Sequence, residues 1–163
     1  MADPHAEVAA RVLTYHLLAD SLGRAHGVDP ALILAVIHNE SGGDPDAFPE
    51  DPARDGASFG LMQVELPTAR GLGFKGSARL LFDPQVSMLY GTLDLAGGIH
   101  DYGTEYLAVI DYNGGPRAVG YYRAGWRLGP AVHYANVVFA LRDYYRRRLA
   151  VLAASPPAAA PAG

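Results

Sequence analysis

The segment Asp29-Pro30-Ala31-Leu32-Ile33-Leu34-Ala35-Val36-Ile37-His38-Asn39-Glu40-Ser41 constrains the fold more than any other stretch of the chain. Asp29 is a favoured N-cap and proline is favoured at the first helical position, so a helix is predicted from residue 30. Ser41-Gly42-Gly43 ends it near residue 41. Ile37, Val36 and Ile33 precede Glu40 by three, four and seven residues, which places them on its face at 3.6 residues per turn. Glu40 therefore belongs to the buried face of a core helix, at an edge that a substrate can reach. Burial disfavours the ionised form and raises a carboxyl pKa, as a general acid near neutral pH requires. The competing reading is a solvated glutamate at a helix end, and the rest of the chain has to decide between the two.

Half of the 163 residues are hydrophobic, which suits one domain with a sizeable core. Periodicity predicts a helix over residues 6–26, from Val8, Val12, Tyr15, Leu18 and Leu22. The capped helix of 30–41 follows, then a loop over 42–57 dictated by Gly42, Gly43, Pro45, Pro49, Pro52 and Gly56. Residues 59–70 suggest a helix despite Pro67, and 71–76 a loop. Asp83-Pro84 opens a helix to about Tyr102 by the same cap logic. Thr104–Tyr112 is a short helix, Asn113-Gly114-Gly115-Pro116 a sharp break, Arg117–Ala124 a short helix and Pro130–Ala150 a long one. Alternating strand patterns are scarce, with room for one short β-hairpin within 44–60. The fold class is mainly α. The expected organisation is an N-terminal helix over 1–27 packed on a domain of 28–150, followed by a disordered Ala/Pro-rich tail over 151–163.

Several chemistries are excluded or weakened. There are no cysteines, hence no disulfide, thiolate metal site or cysteine nucleophile. No apolar run approaches the about 20 residues of a membrane span. The N-terminus lacks the basic and apolar regions of a secretory signal peptide. A net charge of −4 gives no reason to expect nucleic acid. Arg146-Arg147-Arg148, near a predicted helix end, complements the helix dipole more readily than it binds an anion. The six histidines, His5, His16, His26, His38, His100 and His133, have no metal-ligand spacing. The acidic positions Asp44, Asp46, Glu50, Asp51 and Asp55 lack the calcium-loop pattern and read as a solvated loop. No metal or other cofactor is expected. Gly56-Ala57-Ser58-Phe59-Gly60 fits G-x-S-x-G literally, but Asp51-Pro52-Ala53-Arg54-Asp55 cannot supply the buried strand that a nucleophile elbow needs. Ser58 is better read as a helix N-cap or a hydrogen-bonding residue beside Glu40.

Four segments in order change the weighting of Glu40. They are Glu40-Ser41, Gly60-Leu61-Met62-Gln63, Tyr112-Asn113-Gly114-Gly115 and Tyr134-Ala135 followed by Val138. In that order, with Leu81-Phe82-Asp83-Pro84 between them, they resemble the soluble lytic transglycosylases of glycoside hydrolase family 23, which also holds the goose-type lysozymes. The resemblance covers roughly residues 28–145. It implies a lysozyme-like helical domain with a groove for peptidoglycan glycan strands, acting without a cofactor.

Residue by residue, the resemblance makes Glu40 the single catalytic acid and base. It places Ser41, Ser58, Met62 and Gln63 toward substrate. Tyr112 and Asn113 match an Ala-Tyr-Asn motif in which this chain has Asp111 for alanine. Tyr134 matches a tyrosine whose hydroxyl lies near the glutamate. The implied reaction cleaves the bond between N-acetylmuramic acid and N-acetylglucosamine and leaves a 1,6-anhydromuramoyl end. One departure is Glu65, where goose-type lysozymes carry an acidic residue, so hydrolysis by Glu40 with Glu65 as a second carboxylate is the alternative. A glycan-binding or structural module without turnover is a third reading. The implied setting is the periplasm, the cell envelope, or a phage particle or lysis protein, with the chain acting as a monomer.

Overall fold

The computed structural model describes residues 3–50 and 57–154. Asp51, Asp55, Gly56 and the tail from Ser155 onward lie outside the described residues. Seven helices and one small hairpin make up the described part. They are α1 (Ala6–Leu13), α2 (His16–His26), α3 (Pro30–Ser41), the hairpin β1 (Ser58–Phe59) and β2 (Val64–Glu65), α4 (Leu66–Gly71), α5 (Pro84–Tyr102), α6 (Glu105–Arg123) and α7 (Pro130–Ala154). A 3-10 turn over Ala78–Phe82 leads into α5.

Helix α3 is the axis of the molecule. Asp29 Oδ1 accepts the N–H of Ala31 at 2.8 Å, and Gly42 ends the helix in a left-handed conformation. Every residue from Ala31 to Ile37 is fully buried. The helix is thus apolar all round, which calls for neighbours on every side. Helices α1, α2 and α7 supply them. At the far end, Arg146 of α7 closes on the Asp29 cap, Nε and Nη2 lying 2.7 and 2.6 Å from Oδ2. Helix α7 runs on to Ala154, so Arg146 lies inside it and is tied to Asp29 rather than sitting at the helix end.

Three expectations need correction. The helix over 6–26 is broken at Thr14-Tyr15. There the Thr14 hydroxyl donates to Arg11 O at 2.6 Å, and the N–H groups of Thr14 and Tyr15 bond three residues back rather than four. Local side-chain bonding competes with the helical ladder at such a point. The helix over 59–70 is a hairpin followed by α4. Ser58 pairs with Glu65 and Phe59 with Val64 in antiparallel register, so only the first strand lies within 44–60. Pro67 does not weaken a helix interior; it stands in the first turn of α4, where proline fits. Ser58 is accordingly a strand residue and not an N-cap. The break at 113–116 takes the form of a kink within α6, with Gly115 at φ 68° and ψ −178° ahead of Pro116.

Candidate active site

Helix α3, the hairpin, α5 and the kink of α6 enclose a cleft of about 510 Å³. Glu40 stands in its wall, partly buried, on the last turn of the core helix. Desolvation raises its pKa from 4.5 to about 7, against a smaller lowering by a hydrogen bond from Tyr134. The Tyr134 hydroxyl donates to Glu40 Oε1. Tyr134 is nearly buried on α7, and its own pKa is driven well above 10 by burial and by the Glu40 charge. It therefore remains a donor throughout the neutral range.

Ser58, Gln63, Glu65, Tyr112 and Asn113 line the same cleft as Glu40. Gln63 is the only non-glycine residue with a positive φ among those described, at 49°. Its side chain explains how that conformation persists. Nε2 donates to Ala47 O and Gly60 O, both at 2.9 Å, and Oε1 accepts the Ser58 hydroxyl at 2.8 Å. Its amide is thus spent on shaping the hairpin. Gly60 completes the turn at φ 70°, where an added Cβ would lie 2.4 Å from Leu81 O. Tyr112 crosses from α6 and donates to Met62 O at 2.6 Å, tying the kinked helix to the hairpin.

Besides Tyr134, which meets the site through Glu40, two predicted site residues do not line the cleft. Met62 is fully buried; its N–H donates to Ser87 Oγ at 3.1 Å, and its carbonyl serves Tyr112. The Ser41 hydroxyl reaches Leu61 O at 2.8 Å and Ile37 O at 3.1 Å, joining the end of α3 to the hairpin. Both residues hold the site together from behind.

Sequence reasoning missed Asp94, Asp111 and Thr68 as lining residues. Burial, then the nearby Asp111 charge, raises the Asp94 pKa to about 6. Burial also raises that of Asp111, offset in part by a hydrogen bond from the Tyr102 hydroxyl at 3.0 Å. Asp111 had one available signal, its place where the motif expects alanine. Asp94 had none, because it lies within an apolar helix and meets the cleft only through the packing of α5 on α6. Among the described residues no group of three or more His, Cys, Asp or Glu side chains is placed to hold a metal ion.

A helical domain of lysozyme-like fold, with a two-stranded hairpin and a desolvated carboxyl group at the rim of its cleft, is the class these features define. The family model for the transglycosylase SLT domain matches residues 18–125, and the chain belongs to that family. Over 124 residues it is 32% identical to an endo-type membrane-bound lytic murein transglycosylase A of Enterobacter sp. (strain 638), covering 67% of this chain and 59% of that protein. The chain thus spans less than two thirds of the length of that relative. In structure it resembles an inactive mutant of the lytic transglycosylase Slt from Pseudomonas aeruginosa, with TM-score 0.70, 21% identity, and 81% of this chain and 24% of that one covered. It also resembles the 70-kDa soluble lytic transglycosylase in complex with bulgecin A, with TM-score 0.72, 20% identity, and 84% and 25% covered. At such identities the structures speak for the fold alone. No helix among the described residues is long and apolar enough to cross a membrane.

Proposed function

We propose that the protein is a peptidoglycan lytic transglycosylase in which Glu40 acts first as acid and then as base. The observation that carries this reading is the placement of Glu40, a carboxyl group on the last turn of the buried helix α3 that lines an open cleft, where desolvation raises its pKa to about 7. A carboxyl group in that range holds a proton at neutral pH and can also part with it. Glu40 donates its proton to the glycosidic oxygen between N-acetylmuramic acid and N-acetylglucosamine as the C1–O bond breaks. The neighbouring N-acetyl group stabilises the positive charge growing at C1. The C6 hydroxyl of the same sugar then bonds to C1 and gives its proton to Glu40, which is restored. The product is a 1,6-anhydromuramoyl end, and no water is consumed. A hydroxyl on the reacting sugar competes well with water because it is already held close.

Tyr134 holds the Glu40 carboxyl in place, while Tyr112 and Asn113 line the same cleft. The family membership and the name of the Enterobacter relative support the same chemistry. The place of action is the cell wall, and the acting species is a monomer. Glu65 is exposed on β2 and plays no part in this route.

Incubation of the protein with purified sacculi, followed by mass spectrometry of the released fragments, tests the reading. The expected products carry anhydro ends, lighter by one water than hydrolysed ones. Glu40→Gln is expected to lower their release by roughly 10²–10⁴-fold. Hydrolysed ends from the parent protein, or undiminished lysis by the variant, would refute it. If hydrolysed ends appear and Glu65→Leu removes them, the goose-type reaction is the correct one.

A further inference from the structure

The second half of α6 and the loop that follows carry a surface that the cleft chemistry leaves unused. Tyr121 is 50% exposed, Trp126 69% and Leu128 90%. Isolated exposed apolar side chains are ordinary, but a contiguous group marks a place of interaction. The rings of Tyr121 and Trp126 lie 6.3 Å apart, and the Trp126 N–H donates to Tyr121 O at 3.1 Å. Arg117 lies over the Tyr121 ring at 5.5 Å, with Nε donating to its hydroxyl at 2.9 Å. Arg127 stacks at 4.0 Å over Tyr122. Among the described residues neither arginine is paired with a carboxylate.

This surface begins where the cleft ends. Pro116 lines the cleft; Arg117 is the next residue, and Tyr121 follows on the same helical face four residues on. Tyr121 thus stands five residues, about 7.5 Å of helix rise, from the cleft-lining Pro116.

We propose that Tyr121 and Trp126, flanked by Arg117 and Arg127, form a platform that holds a peptidoglycan glycan strand beyond the bond being cut. The proposal rests on the cell-wall reading above. The chemistry matches the strand on two counts. Sugar rings present apolar C–H faces that lie against exposed aromatic rings, and the muramoyl residues and their peptides carry carboxylates for the unpaired arginines. A two-fold contact with a second copy would bring the arginines of both copies together, and a neutral lipid surface offers them no counter-charge.

The test uses the full chain carrying Glu40→Gln, so that substrate is bound and not consumed. Co-sedimentation with purified sacculi is measured for this protein and for versions that add Trp126→Ala, Tyr121→Ala or Trp126→Phe. Each alanine is expected to weaken binding roughly three- to ten-fold, and Trp126→Phe to recover most of the loss. The thermal midpoints should stay together. In the active protein, Trp126→Ala should slow cleavage of long strands more than that of a tetrasaccharide. Unchanged sacculus binding, or equal loss on long and short substrates, overturns the platform. So does a patch whose substitution abolishes self-association in sedimentation, or vesicle binding, while leaving sacculus binding intact. The two readings fail separately. A parent protein that binds sacculi through Trp126 but releases no anhydro product refutes the reaction and keeps the platform. One that releases the product with binding indifferent to Trp126 does the reverse.

Discussion

Glu40 is a costly residue to bury, and the cost has a sign that can be measured. Its pKa rises from 4.5 to about 7 on folding, so between those values the folded state holds more proton than the unfolded chain. Stability from this group is complete below about pH 4.5 and is lost as pH rises through about 7, by up to about 3 kcal/mol. Glu40→Gln carries no such charge. We expect it to match the parent protein in urea unfolding at pH 4 and to exceed it at pH 8. Equal midpoints at both pH values would mean that Glu40 is not desolvated. The same shift places the alkaline limb of activity near pH 7, above which the acid is lost. The hydrogen bond from Tyr134 is the one contribution that lowers the Glu40 pKa. Tyr134→Phe should therefore move that limb to higher pH while reducing kcat, which a pH–rate profile resolves. A limb that stays in place would assign Tyr134 to packing alone.

The hairpin is the element that shapes the cleft, and it was the least legible. Its strands are two residues each, too short to display an alternating pattern. Its turn depends on Gly60 and on a strained Gln63 held by Ser58 and by Ala47, and the Ala47 contact lies sixteen residues away, beyond a local window of sequence. Gly60→Ala adds a Cβ at positive φ and 2.4 Å from Leu81 O. It should destabilise the fold by about 1–3 kcal/mol and disturb Gln63, read as a lower denaturation midpoint with weaker sacculus binding. An unchanged midpoint would contradict the close approach. By contrast, Asp29-Pro30 and Asp83-Pro84 announced α3 and α5 correctly, because capping is a local interaction. Glu40 was legible from its apolar spacing. Tyr112, Asn113 and Tyr134 were legible only through the order of the motifs, since each alone reads as a helix stop or a core aromatic.

At the scale of the whole molecule, α3 and α7 set the frame, and Asp29 joins them at the end opposite Glu40. Asp29 caps α3 and accepts Arg146 at the same time. Asp29→Ala removes both and should cost about 1–2 kcal/mol. Arg146→Ala, on a half-exposed partner, should cost under about 1 kcal/mol. Chemical denaturation compares the two, and a larger loss from Arg146→Ala would invert the account. The burial of α3 on all sides has one more consequence. Glu40 owes its raised pKa to desolvation, at the end of a helix whose residues Ala31 to Ile37 are sealed from water. A nascent or partly folded chain carries an ordinary carboxyl group, ionised at neutral pH and without a proton to give. On the proposed mechanism, competence arrives in the same step as the globule itself.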